Sequence, residues 1–222
     1  MKIEIKNIAK SYKKKNVLKD ISFTAKSGQC IGVLGANGCG KSTLLSILAG
    51  VQRADKGSFI YDDVDLLKYS KNRSELIGYV PQGTPLIDEL TEYDNLLLWY
   101  DRSQLKKELD GGILQMLGID EFLKVTVHNM SGGMKKRLSI GCAMAKKPPV
   151  IILDEPMAAL DIACKQKIFE YLKNHKASGG ILLLATHDSM ELELCDECYI
   201  IKDGENVPFT YNGDIEALVK NL

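Results

Sequence analysis

The sequence holds no apolar run near the about 18 residues that a membrane-spanning helix needs; the longest, Ile181-Leu182-Leu183-Leu184-Ala185, suits a buried strand. It also lacks the apolar core of a signal peptide, since Met1-Lys2-Ile3-Glu4-Ile5-Lys6 alternates like a strand. Both absences lead to the expectation of a cytoplasmic chain with no direct membrane insertion. Net charge is missing as well. Lys and Arg number 29, and so do Asp and Glu, so no surface field draws the chain to nucleic acid or lipid headgroups. Membrane contact must then come through a protein partner. Metal-binding pairs are scarce too. Cys195-Asp196-Glu197-Cys198 has the spacing of a metal or redox pair, but no second Cys or His pair with ligand spacing accompanies it. The other cysteines, at 30, 39, 142 and 164, sit mostly in apolar or small-residue stretches, as reduced structural cysteines do.

What is present is arranged around residues 29–43. Residues 29–34 read as a short buried strand, and Gly35-Ala36-Asn37-Gly38-Cys39-Gly40-Lys41-Ser42-Thr43 matches G-x-x-x-x-G-K-[ST]. In that loop consecutive backbone N–H groups wrap a nucleotide's phosphates, and glycine leaves no Cβ between amides and anion. Residues 42–49 read as a helix closed by Gly50, its positive end facing the anion. Lys41 is placed to reach the β- and γ-phosphates, and the Ser42 hydroxyl to bind the accompanying Mg²⁺.

The 222 residues make one large domain, or a domain with a sub-lobe, and contain no second copy of this loop. Strands are expected at 2–6, 21–25, 58–61 and 77–80, with Tyr12 in a basic loop over 10–15. With Val17, Tyr12 could form a slot for a flat nucleobase; equally, it suits a partly buried edge. Residues 91–127 change character. Thr91 to Asp94 resembles a capping box, and Leu105, Leu109, Ile113, Met116 and Leu117 keep a helical stripe that crosses Asp110-Gly111-Gly112. These residues predict a helical sub-lobe between strands of the main sheet. Ser131-Gly132-Gly133 opens the next helix, either as an ordinary N-cap or as a second anion site.

Val150-Ile151-Ile152-Leu153 is continuously apolar and ends in Asp154-Glu155. In a doubly wound sheet such a strand end lies on the ligand side. An aspartate there can hold Mg²⁺ while the neighbouring carboxylate polarises a water. A helix over 161–176 and a strand over 181–185 lead to Thr186-His187, again on that side. A short helix near 189–195, a hairpin through 198–211 and a helix from 214 complete the reading.

In this order the elements resemble the ATPase subunit, or nucleotide-binding domain, of an ATP-binding-cassette transporter, from Tyr12 to about Gly204. The resemblance implies an α/β fold: a P-loop core with a mostly parallel sheet, an N-terminal antiparallel β subdomain and an inserted helical subdomain over about 91–147, with 1–90 and 148–222 forming the rest of a single domain. It implies ATP and Mg²⁺ as ligands. Tyr12 would stack on adenine beside Val17, and residues 35–43, Gly35, Asn37, Gly38, Cys39, Gly40, Lys41, Ser42 and Thr43 among them, would form the Walker A loop. Gln82 would touch metal and attacking water, and Ser131, Gly132 and Gly133 would form the signature loop. Asp154 would be the Walker B aspartate, Glu155 the general base, Asp161 the D-loop aspartate and His187 the contact to the γ-phosphate. The signature would face ATP bound on a second cassette, in a homo- or heterodimer, and a separate integral membrane subunit would be driven by closure around ATP. Met130, Met134 and Ala159 depart from the family pattern, where leucine, glutamine and serine are usual; the polar side chain lost at 134 and the hydroxyl lost at 159 could tune turnover or signalling between subunits. A non-transport ATPase regulating an envelope complex, or a nucleotide sensor without turnover, are the competing readings.

Overall fold

The computed structural model describes residues 1–13, 15–69, 73–213, 218 and 220. The helix expected from residue 214 falls largely outside them.

Alternating apolar residues at the start of the chain build a long hairpin. Strands β1 (Lys2–Tyr12) and β2 (Lys15–Lys26) pair antiparallel and turn Ile3, Ile5, Ile8, Ile21 and Phe23 into the core. Residues 10–12 are therefore strand rather than loop: Lys10, Ser11 and Tyr12 pair with Leu18, Asn16 and Lys15. Register shifts on both sides of Ile8, with Asn7 at φ 51°, break the period of two and hide this extension from a pattern reading.

Strand β3 (Cys30–Leu34) runs into helix α1 (Lys41–Ala49), which Gly50 ends in the left-handed conformation at φ 84°. Then come β4 (Lys56–Tyr61), the two-residue β5 (Val64–Asp65), α2 (Arg73–Leu76) and β6 (Ile77–Val80). The stretch from 91 is helical, in pieces: α3 (Glu92–Leu97), α4 (Arg102–Leu109) and α5 (Ile113–Met116). Thr91 caps α3 by accepting from the Asp94 N–H at 3.1 Å, and Gly111 at φ 114° separates α4 from α5. Helix α6 (Gly132–Ala143) precedes β7 (Val150–Asp154), α7 (Ile162–Ala177), β8 (Ile181–Ala185), α8 (Ser189–Leu192) and the hairpin β9 (Glu197–Lys202) and β10 (Glu205–Phe209).

The strands form one ten-stranded sheet in the order β5-β4-β1-β2-β10-β9-β3-β8-β7-β6. β9, β3, β8, β7 and β6 are mutually parallel, whereas β1, β2, β4 and β5 are antiparallel. Every residue of β3, β7 and β8 is buried, as a parallel sheet covered on both faces requires. Alternate side chains go to different layers. Ile31, Val33, Ile152 and Leu183 pack with Leu44, Leu45, Ile47 and Leu48 of α1. Cys30, Ile151, Leu153 and Leu184 pack with Leu96, Leu114, Leu138 and Ile168, so the inserted helices share a core with that face of the sheet. Each such side chain contributes about 1.5–3 kcal/mol by burial. Because β3, β6, β7 and β8 run the same way, Gly35, Gln82, Asp154-Glu155 and Thr186-His187 emerge at one edge.

Candidate active site

The loop after β3 is held open by backbone that only glycine adopts easily. Gly35 sits at φ 143°, and a Cβ there would come within 2.5 Å of Cys39 Sγ and 2.8 Å of the Ile201 carbonyl. Gly40, at φ 121°, backs onto Leu18 and Val17. Lys41 is buried and curls over the loop, donating from Nζ to the Gly35 carbonyl at 2.6 Å and the Ala36 carbonyl at 3.2 Å. The loop and the start of α1 form one wall of a cavity of about 480 Å³, lined by Val17, Asn37, Gly38, Gly40, Lys41, Ser42, Thr43, Gln82, Glu155 and His187. Unpaired amides at a helix start make such a wall receptive to an anion.

The opposite wall carries Glu155, and Asp154, the residue before it, lies buried and does not itself line the cavity. Asp154 ends β7 only 2% exposed, its Oδ2 without a hydrogen-bond partner. Burial pushes its carboxyl above the ordinary range; the Ser42 hydroxyl beside it, Lys136 and Lys41 pull it back, and Glu155 adds to the rise. Glu155 takes φ 50°, rare for a residue with a side chain, and its N–H donates to the Ala185 carbonyl of β8 at 2.9 Å. That twist aims its side chain at Gln82, whose Nε2 donates to Glu155 Oε2 at 3.0 Å. At His187, partial burial and the Lys41 charge lower the imidazole's affinity for a proton, with Glu155 opposing them.

Other residues singled out in the sequence lie elsewhere. The Tyr12 ring is exposed, lies beneath Lys10 Nζ at 5.5 Å, and its hydroxyl donates to Gln52; it does not line the cavity. Cys39 lies behind the loop, packed with the core around α1. Ser131 caps α6 by accepting from the Met134 N–H at 3.2 Å, with Ser131 and Gly132 exposed. Asp161 caps α7 by accepting from the Cys164 N–H at 2.9 Å. Neither Ser131, Gly132, Gly133 nor Asp161 lines the cavity within this chain. Of the departures, Met130 fills the core beside Leu138, Met134 packs partly against it, and Ala159 takes φ 63° with its carbonyl 3.1 Å from where a Gly133 Cβ would stand. Among the described residues no group of His, Cys, Asp and Glu is placed to hold a metal. Cys30 and Cys198 are buried and Cys195 is half-buried; hydrogen bonding between the Cys195 and Cys198 thiols together with burial favours the protonated form of Cys198, and the surroundings of Cys195 favour its protonated form too.

Sequence reasoning missed two buried charged groups beside the cavity. Lys136 of α6 is 3% exposed and donates from Nζ to the Pro81 carbonyl at 3.0 Å and the Gln82 carbonyl at 3.4 Å. Burial lowers its pKa, while Asp154, Glu191 and Glu155 hold it up. Glu191, 1% exposed, accepts from the Met157 N–H at 2.9 Å, and burial pushes it up to about 7. Nothing in the run Lys135-Lys136-Arg137 marks the middle residue as buried.

Comparison with known proteins accounts for the arrangement. Residues 18–158 match the family model described as ABC transporter. The linearmycin resistance ATP-binding protein LnrL of Bacillus subtilis is 34% identical over 218 residues, covering 96% of this chain and 70% of that protein. The spermidine/putrescine import ATP-binding protein PotA of Spiroplasma citri is 36% identical over 91% of this chain, which spans 59% of that relative's length. A solved dimeric ATP-binding cassette in a post-hydrolysis state, bound to ADP and Pi, superposes with a TM-score of 0.84 at 28% identity, covering 96% of this chain and 100% of that one. This chain belongs to the ABC transporter family, as one of its ATP-binding cassettes.

Proposed function

We propose that this chain is the ATP-hydrolysing subunit of a transporter, that it pairs with a second cassette around two Mg-ATP, and that it drives a separate membrane-spanning partner. One observation carries this reading: the Glu155 carboxylate faces the phosphate loop across the cavity and is oriented by Gln82. A water between Glu155 and the γ-phosphate of bound ATP gives its proton to that carboxylate as it attacks phosphorus, and the bond to the β-γ bridging oxygen breaks. Lys41 exchanges the loop carbonyls for β- and γ-phosphate oxygens, and His187 donates to the γ-phosphate from the far side.

An oxygen-donor set suited to Mg²⁺ is present: the buried, unpartnered Asp154 Oδ2, the Ser42 hydroxyl and the Gln82 side-chain carbonyl. When bound, the ion neutralises charge on the phosphates. Tyr12 and Val17 would take the adenine edge. Ser131, Gly132, Gly133 and Asp161 lie outside the cavity of their own chain, which suits a site completed by a second copy; the dimeric neighbour supports such pairing. We assign residues 91–147 to a helical unit carrying that signature. The partner's docking face is a groove of about 660 Å³ that includes Tyr79, Pro81, Pro85, Leu86, Trp99 and Cys142, with Trp99 half-exposed. Among the described residues no helix is long and apolar enough to cross a membrane, so attachment to the cytoplasmic face falls to that partner.

Steady-state hydrolysis by the full chain tests the reading. Glu155→Gln should lower kcat by about 10²-fold or more while retaining ATP binding. Hydrolysis at the parent's rate would show that Glu155 is not the base.

A further inference from the structure

Lys136 occupies a position unusual for its chemistry. It is buried on α6, and its ammonium reaches the segment just past β6, where it meets the carbonyls of Pro81 at 3.0 Å and Gln82 at 3.4 Å. A buried ammonium is costly unless its donors are satisfied or opposite charge is near. Two of its three N–H donors are engaged, and the charges of Asp154, Glu191 and Glu155 act on it, the first two of these residues themselves buried. A leucine or methionine would fill the same space without that cost, so the charge has a use at this place.

The geometry of the neighbours gives the use. Gln82 is the residue whose backbone Lys136 holds and whose side chain donates to Glu155. Lys136 also stands one helical turn after Gly132, so a displacement of α6 reaches the Pro81-Gln82 backbone through a single side chain. We propose that Lys136 is a positioning residue for ATP hydrolysis, tethering α6 to the Pro81 and Gln82 carbonyls and so fixing the approach of Gln82 to Glu155. This rests on the hydrolytic reading above. A brace serving the fold alone would affect stability and leave turnover at saturating ATP unchanged; a tether acting through Gln82 must affect kcat.

The test compares Lys136→Met, Lys136→Arg, Gln82→Ala and the Lys136→Met/Gln82→Ala double variant of the full chain in steady-state hydrolysis, with thermal unfolding alongside. Lys136→Met, which keeps the stem and removes the charge, should lower kcat about 10-fold or more with KM for ATP changed less than about 3-fold, because small misplacements near reacting groups are costly in rate. Lys136→Arg should restore most of it. The double variant should be no slower than Gln82→Ala by more than about 2-fold, as expected of residues that act as one unit. The proposal is overturned by a Lys136→Met kcat within about 2-fold of the parent, by losses that multiply in the double variant, or by failure of arginine to restore turnover. Should Lys136→Met not fold, Lys136→Gln carries the same comparison, with the same losses expected and the same results overturning it. Glu155→Gln run in parallel separates the two levels. If it hydrolyses at the parent's rate, the underlying reading fails; if it is inactive while Lys136→Met is as fast as the parent, only the tether fails.

Discussion

Gln82 donates its side-chain N–H to the Glu155 carboxylate at 3.0 Å, joining the end of β6 to the end of β7 across the cavity mouth. Either oxygen of a free carboxylate can rotate away from a reacting water, and this bond holds one of them. Gln82→Ala should therefore lower kcat by about 10-fold or more and leave ATP affinity within about 3-fold. Steady-state hydrolysis and a nucleotide titration check the split; an equal loss in both would mean that Gln82 mainly binds nucleotide.

The phosphate loop has no room for a side chain at Gly35. A methyl group would meet Cys39 Sγ at 2.5 Å and the Ile201 carbonyl at 2.8 Å, on a backbone already at φ 143°. Gly35→Ala should cost about 1–3 kcal/mol, a fall of roughly 2–4 °C in Tm per kcal/mol, and weaken ATP binding by 10-fold or more. Cys39→Ala in that background should recover part of the loss, since it removes the atom in closest conflict. An unchanged Tm in Gly35→Ala would contradict the clash.

Stability should fall as pH rises through the neutral range, and Glu92 is the reason. It is fully buried at the start of α3, with neither carboxylate oxygen partnered. Burial pushes it up from 4.5 to about 8; the Arg137 charge pulls it back and Asp120 adds to the rise. The folded chain thus keeps a proton there that the unfolded chain releases near pH 4.5. This contribution to stability is fully present below 4.5 and is lost as pH passes through about 8. Glu92→Gln, which does not ionise, should flatten the dependence between pH 5.5 and 8.5 and stabilise the chain at the upper end by a few kcal/mol, on the order expected from that shift. Denaturant unfolding at the two pH values reads the difference, and parallel curves for parent and variant would rule the assignment out.

Much of this was legible in the sequence because the informative signals are local. The phosphate loop with its strand and helix, the acidic pair Asp154-Glu155 at the end of β7, Thr186-His187 and the capped start of α6 are each contiguous, and the parallel sheet brings the first three to one edge. What stayed hidden depends on tertiary placement. The hairpin beyond residue 6 was masked by bulges around Ile8, and β5 is too short to show a pattern. The burial of Lys136 and Glu92 has no local signature, because only the packing of α6 and α3 shows that they are enclosed. That the signature residues lie away from their own chain's cavity follows from no spacing and was implied by the family resemblance alone.

The split site is the central claim, and it is tested most directly by measuring the mass of Glu155→Gln in solution by sedimentation. With saturating ATP and magnesium the variant should form a dimer that the same protein with ADP does not, because only the triphosphate reaches across to the partner's Ser131-Gly132-Gly133. A variant that binds ATP to saturation and remains monomeric, both alone and when assembled with its membrane subunit, would contradict it.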